Sequence, residues 1–233
     1  MAARPSTSTI TATSRRHSMQ NKTIVTLTGP SCGGKTTLEG LLKAEGFVNI
    51  ISTTTRPPRE GEVDGQHYHF VDKTQFKRMR EQGAFIESVE FGGHFYGASV
   101  KAVERATADG SPVVLVCEPE GMKQISAYSD LHRWHHLAVY VDNPAGVLAE
   151  RFLKRAGVDI AEQMISNDPT AAARVVKSYA RRLAEMLSTE QTWAQAIFTK
   201  DIDLLLPTFD ADNQDTAVRT ILERLATQLK AAA

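Results

Sequence analysis

Residues Gly29-Pro30-Ser31-Cys32-Gly33-Gly34-Lys35-Thr36 fit the spacing G-x-x-x-x-G-K-[ST]. In that pattern backbone N–H groups wrap a polyphosphate, the lysine pairs with β- and γ-phosphate oxygens, and the last hydroxyl is a magnesium ligand. Glycine makes up about 7% of ordinary chains, so two glycines and a Lys-Thr pair seldom fall at these offsets by chance. The candidate phosphate binders are Gly29, Ser31, Gly33, Gly34, Lys35, Thr36 and Thr37, and Thr36 is the candidate Mg2+ ligand. Cys32 lies inside the loop near the start of the helix that follows. No base or resolving cysteine stands near it in sequence, and it reads as a small loop residue.

A second group follows in residues 52–68, STTTRPPREGEVDGQHY. Arg56, Arg59 and Tyr68 stand in an extended stretch stiffened by Pro57 and Pro58. Guanidinium forks match phosphate geometry, so the stretch could clamp one monophosphate; taken alone, it also reads as arginines in solvent. His132, His135 and His136 fit neither usual metal-ligand spacing and have no Cys or carboxylate beside them, so they read as a polar turn before a strand.

These residues need elements to hold them. KTIVTLT, residues 22–28, is a short β-branched run that reads as a buried strand and feeds the phosphate loop, and TLEGLLKAEG then reads as a helix stopped at Gly46. This strand, loop and helix would aim a positive helix terminus at an anion. Residues 52–100 change character, with one helical candidate at 73–81, and read as an inserted segment. A helix is expected over 100–108, buried strands at PVVLVCE and HLAVYVDNP, and a helix over 145–155. Residues 161–188 read as a helical stretch broken at Asn167-Asp168-Pro169, followed by a weaker strand near 202–206 and a helix over 216–229. The expected class is α/β, a mostly parallel sheet with helices on both faces. The expected organisation is a core of 21–51, 101–149 and 186–233, an inserted segment of 52–100, a lid of 150–185, and a tail of 1–20 outside the fold.

Composition removes several classes. The 233 residues carry 42% hydrophobic and 23% charged side chains, an ordinary globular balance, and 27 basic residues offset 27 acidic ones. A duplex-binding surface usually shows a basic excess, so no nucleic-acid partner is expected. No window reaches the ~18 apolar residues of a membrane span and no secretion signal opens the chain, so no membrane partner is expected. Two cysteines without metal or disulfide spacing fit a reducing compartment, and the expected location is cytoplasmic. Residues 1–20, rich in Ser, Thr and Ala with Arg4, Arg15 and Arg16, resemble a transit peptide in composition, but a disordered tail or a misassigned start is the preferred reading.

GPSCGGKTTL, STTTRPPREGEVDGQHYHF and FIESVEFGGHFYGAS together resemble the guanylate kinase family, from about Ile24 to about Gly121, and the likeness thins beyond Asp142. The resemblance implies the P-loop nucleoside-monophosphate kinase fold. It also implies transfer of the γ-phosphoryl of ATP to GMP or dGMP, with ATP and Mg2+ required. Lys35 and Thr36 then serve the ATP phosphates. Arg56, Arg59, Tyr68 and Tyr96 match positions that hold the acceptor's phosphate, and Glu62 matches the acid bracing the second arginine. Ser52 and Glu87 match base-contacting positions. Arg151 and Arg155 in RFLKRAG resemble lid arginines that close over the transferring group, and Arg174, Arg181 or Arg182 is left as the later one.

The departures are specific. Ala98 stands where the family usually has a hydroxyl, which loosens base recognition. Leu115-Val116-Cys117-Glu118 replaces L-D-I-D, leaving Glu118 to support Mg2+ and the acceptor. The V-N-D-D segment near adenine is not recognisable around residues 202–212. Two other functions remain in view at this level: a non-catalytic guanylate-kinase-like protein-binding module, and a P-loop kinase of a modified nucleotide. The chain is expected to work as a monomer or homodimer.

Overall fold

An apolar strand without a solvent face needs cover on both sides, and β1 (Thr23–Thr28) receives it. The computed structural model of the chain describes residues 22–58, 61–165, 170–181, 183–184 and 201–232. Elements follow in the order β1, α1 (Lys35–Ala44), β2 (Val48–Asn49), β3 (Thr53–Thr54), β4 (His69–Phe70), α2 (Lys73–Glu81), β5 (Phe85–Phe91) and β6 (His94–Ser99). Then come α3 (Val100–Ala106), β7 (Val113–Val116), α4 (Pro119–His132), β8 (His135–Asp142), α5 (Ala145–Ile165), β9 (Leu204–Pro207) and α6 (Gln214–Ala231). Residues 170–181 are also helical.

Five strands form one parallel sheet in the order β2-β7-β1-β8-β9. Its strands alternate between two buried layers. Val25, Leu27, Val114 and Val139 pack with Leu38 and Leu42 of α1 and Ile221 and Leu225 of α6. Ile24, Val113 and Leu115 face the other way, onto Val103 of α3, Ile125 of α4 and Ile86 of β5. The uninterrupted apolar runs seen in the sequence are the signature of strands buried on both faces.

The second sheet is built inside residues 52–100, in the order β4-β3-β6-β5. A Gly92-Gly93 turn with both φ positive joins β5 to β6, and their register shifts at a bulge between Phe85 and Glu87. Phe76 of α2 stacks on Phe85 and Phe95 at 4.6 and 5.5 Å between centroids and fixes this sheet from behind.

Two readings of the sequence are corrected. The helix expected to end at residue 155 runs to Ile165. A lone helical glycine costs about 1 kcal/mol, and the packing of Leu148, Phe152, Ala156 and Ile160 with Tyr179 outweighs Gly157. Helix α4 and strand β2 were not read at all. Polar EGMKQISAYSDLH hides an apolar stripe of Met122 and Ile125, and Pro119 at the first turn is the start signal that was available. Among the described residues the other expected elements lie within a few residues of expectation, and α2 spans 73–81 as read, while the break expected at Asn167-Asp168-Pro169, the end of that stretch at 188 and the tail of 1–20 lie outside the described residues.

Candidate active site

Four functional loops leave the C-terminal ends of neighbouring parallel strands: the phosphate loop after β1, Glu118 after β7, Asn143 after β8 and Phe209 after β9. That rim is where open parallel sheets gather ligand-binding groups. The phosphate loop closes with Gly33 N–H donating to the Pro30 carbonyl at 3.1 Å. Two glycines are obligatory there. A Cβ on Gly29 would lie 2.4 Å from the Val141 carbonyl oxygen, and one on Gly34, at φ +91°, would lie 2.5 Å from the Phe209 ring. With Gly34 as cap and no side-chain cap bond, the first-turn N–H groups of α1 point out of the helix.

Gly33, Gly34, Lys35, Thr36 and Thr37 line a cavity of about 330 Å³, bounded also by Arg155 and Phe209. The Lys35 ammonium donates to the Gly29 and Pro30 carbonyls at 2.7 and 2.9 Å. Burial pulls its pKa below the ordinary lysine range, and the Glu118 carboxylate opposes that. Ser31 sits, part-exposed, in the turn that enters the loop. Cys32 contributes packing against the cluster formed by Leu148, Phe152, Ala156 and Tyr179, while its backbone takes the left-handed φ of 62°.

A second cavity, about 300 Å³, brings together Ser52, Arg56, Glu62, Tyr68, Glu87, Tyr96 and Glu118, and shares Lys35 with the first. Arg56 is the most constrained of these. Its Nη1 and Nη2 meet the two Glu62 oxygens at 2.9 and 2.8 Å, Nη1 also donates to the Pro57 carbonyl, and the guanidinium lies over Tyr68 at 5.4 Å. Burial would lower its pKa, but the Glu62 fork outweighs this and the net shift is upward. Glu62, expected to brace Arg59, forks onto Arg56, the first arginine of the stretch, and Arg59 lies outside the described residues.

Glu87 is buried at 4% exposure. The β5 bulge turns it toward β6, where Oε1 accepts the Ala98 N–H at 2.7 Å, and Oε2 has no hydrogen-bond partner among the described residues. Burial pushes its carboxyl up to about 7. Cys117, partly buried beside Glu87 and Glu118, has its thiol pKa pushed well above the ordinary range by desolvation.

Sequence reasoning missed Val89 and Phe91, which line the second cavity. The signal was there, since strand alternation puts them on the face of Glu87. It also missed Asn143 and Phe209. Arg151, read with Arg155 as a lid arginine, lines the donor cavity beside Arg155 and also donates to protein groups: the Phe209 carbonyl at 2.6 Å, with the Cys32 carbonyl and Asn143 Oδ1 at 3.4 Å. Arg174 and Arg181 lie in or beside the helical residues 170–181, and Arg182 is outside the described residues. Among the three histidines, His136 bonds Thr26 Oγ1 at 2.9 Å, with burial pulling its pKa down to about 4, and His132 stacks on Tyr128.

A guanylate kinase family model matches residues 20–197. The chain belongs to the guanylate kinase family. It is 36% identical over 166 residues to the guanylate kinase of Sphingopyxis alaskensis, covering 70% of each chain. It is 33% identical over 166 residues to that of Escherichia coli, covering 70% of this chain and 78% of the relative. Similarity to the Nostoc guanylate kinase is higher, 43%, but spans 49% of this chain and 58% of that protein. The crystal structure of guanylate kinase from Anaplasma phagocytophilum superposes with a TM-score of 0.56 at 23% identity, over 90% of this chain and 87% of that one, which establishes the same fold. No helix among the described residues is long and apolar enough to cross a membrane.

Proposed function

We propose that this chain is an ATP-dependent guanylate kinase that moves the γ-phosphoryl of ATP onto the phosphate of GMP or dGMP. The observation that carries it is the lysine common to both cavities: Lys35 lines the phosphate-loop cavity and the Arg56–Glu87 cavity, so donor and acceptor phosphates would meet at its ammonium. Catalysis here is positioning and charge neutralisation, with no covalent enzyme intermediate.

The chain's own groups divide the work. First-turn N–H groups of α1 and Lys35 hold the donor phosphates. Arg56, pre-set by Glu62, and the hydroxyls of Tyr68 and Tyr96 hold the acceptor phosphate, with Arg59 reading as a further contact. Ser52 and Glu87 meet the base, and Arg155, at the donor cavity, meets the transferring group. An ionised Glu87 accepts from the N1–H and 2-amino group of guanine, whereas adenine presents a lone pair at N1 and no 2-amino group. Sites built this way reject the unpaired analogue by ~10⁴ or more. Because Ala98 brings no hydroxyl to the base pocket, 2-amino purines such as 2,6-diaminopurine monophosphate are tolerated better than by guanylate kinases that carry that hydroxyl.

Magnesium fits the donor set. Thr36 borders the donor cavity and Glu118 stands within electrostatic reach of Lys35, which supplies hard oxygen donors at the phosphates. Among the described residues no three His, Cys, Asp or Glu side chains form a cage, so Thr36, Glu118, water and the phosphates themselves would hold it. When bound, it neutralises developing phosphate charge. Residues 52–100 and about 150–185 are assigned as closing segments around this core. One chain lines both cavities, so turnover fits a monomer or a homodimer, and we place the reaction in the cytoplasm.

The test is ADP release from ATP and Mg2+ against all ribo- and deoxynucleoside monophosphates. Rapid turnover of GMP and dGMP is expected. AMP or a pyrimidine monophosphate consumed as fast as GMP would overturn the base assignment, and no turnover at all would favour a binding module.

A further inference from the structure

Asn143, one residue past β8 and 5% exposed, bonds two neighbouring loops through its amide. Nδ2 donates to the Gly33 carbonyl at 3.0 Å, and Oδ1 accepts the Phe209 N–H at 3.1 Å. Arg151 runs alongside, joining the Phe209 carbonyl at 2.6 Å to the Cys32 carbonyl and Asn143 Oδ1 at 3.4 Å. The Phe209 ring closes the circuit by filling the space at Gly34.

Two effects follow from this geometry. Turning the Cys32 and Gly33 carbonyls toward Asn143 and Arg151 keeps acceptor oxygens away from incoming phosphates and leaves N–H groups facing them. The same bonds fasten the phosphate loop to residues 209–214, of which Phe209, Asp210 and Gln214 border the donor cavity and none borders the acceptor cavity. A nucleotide that touches both parts therefore meets a pair of loops already held in register, and need not order them on binding.

We propose that Asn143 is a positioning residue for the phosphate donor, clamping the phosphate loop to the 209–214 loop, and that Arg151 serves this clamp. The inference rests on ATP occupying the phosphate-loop cavity, and it assigns 209–214 to the donor's nucleoside end. It predicts that binding energy from the nucleoside end of ATP depends on an amide that touches neither end.

The test uses the full-length chain and direct titration with ATP and with inorganic tripolyphosphate, followed by steady-state kinetics. In the parent ATP binds more tightly than tripolyphosphate. In Asn143→Ala, ATP affinity is expected to fall ~10- to 100-fold, tripolyphosphate to fall less, and the ratio between them to shrink by ~10-fold, while KM for GMP stays within about twofold. Asn143→Asp keeps the acceptor for Phe209 and Arg151 but loses the donor to Gly33, so it should fall between parent and alanine. Arg151→Ala combined with Asn143→Ala should cost less than the two single losses together.

An unchanged ATP-to-tripolyphosphate ratio in a folded Asn143→Ala or Asn143→Asp variant would overturn the clamp, as would equal rises in KM for ATP and GMP. If Asn143→Ala does not fold, the ratio in Asn143→Asp decides. Because the titrations need no acceptor, a parent chain that binds ATP yet ignores GMP would refute the kinase reading and leave the clamp standing.

Discussion

The two halves of the site are prepared by different means. On the donor side the ligand-facing groups are largely backbone, and the fold sets them through Gly29, Gly34, Asn143 and Arg151 before any nucleotide is considered. On the acceptor side they are side chains: a guanidinium held in a fork by Glu62, two tyrosines at 6.2 Å between centroids, and a buried carboxyl with one oxygen unpartnered among the described residues. Backbone donors recognise phosphate in general, whereas side chains can name a base. Selectivity must therefore reside in the acceptor half, and changes there should separate substrates that changes in the donor half treat alike.

The comparison breaks most completely where the halves meet. Lys35→Ala removes the cation shared by both cavities and should lower kcat by ~10² to 10³, with the melting temperature held close to the parent. Coupled ADP release beside a thermal melt checks this, and near-parent turnover would dissolve the idea of a shared reaction point. On the acceptor side alone, Arg56→Ala should raise KM for GMP ~10- to 100-fold and leave ATP affinity within about threefold. Arg56→Lys should recover little, because an ammonium cannot span both Glu62 oxygens. Equal losses for the two nucleotides would erase the distinction between the halves.

A pH series sharpens it. Glu87, pushed up to about 7, serves guanine as a carboxylate, so kcat/KM for GMP should rise several-fold from about pH 6 to about pH 8, and Glu87→Gln should flatten the rise. Stability runs the other way. The folded chain holds this proton more tightly than the unfolded chain, so the stabilisation is complete below the ordinary Glu range and is lost as pH climbs through 7. Relative to the parent, Glu87→Gln should gain up to ~3 kcal/mol between about pH 4 and pH 8, read by denaturant melts. The smallest effect is at Ala98. Supplying a hydroxyl with Ala98→Ser should favour GMP over 2,6-diaminopurine monophosphate by only a few-fold, measured as a kcat/KM ratio.

The legibility of the molecule followed the same division. A phosphate loop is a contiguous pattern of local backbone needs, so Gly29 to Thr37 could be read directly from residue order, as could the apolar runs of β1, β7 and β8. The acceptor residues could be named from resemblance, but their wiring could not. The fork between Arg56 and Glu62 joins side chains six positions apart in an irregular stretch, and residue spacing does not encode it. Asn143 and Phe209 escaped notice because they meet across 66 residues of chain, and each looks ordinary among its neighbours. Strand alternation from Glu87 would have exposed Val89 and Phe91.

The place of β1 in the middle of its sheet has a consequence for how the chain is made. Its pairing partners are Val113–Val116 on one side and His135–Tyr140 on the other, so the phosphate-loop strand leaves the ribosome long before either neighbour exists. Such non-local pairing is slow to nucleate. The β3–β6 sheet, whose strands all fall within residues 53–99, has its partners at hand much sooner. During synthesis the acceptor half should take shape first, and a nascent chain stalled before residue 113 would expose an apolar strand and an unformed phosphate loop to chaperones.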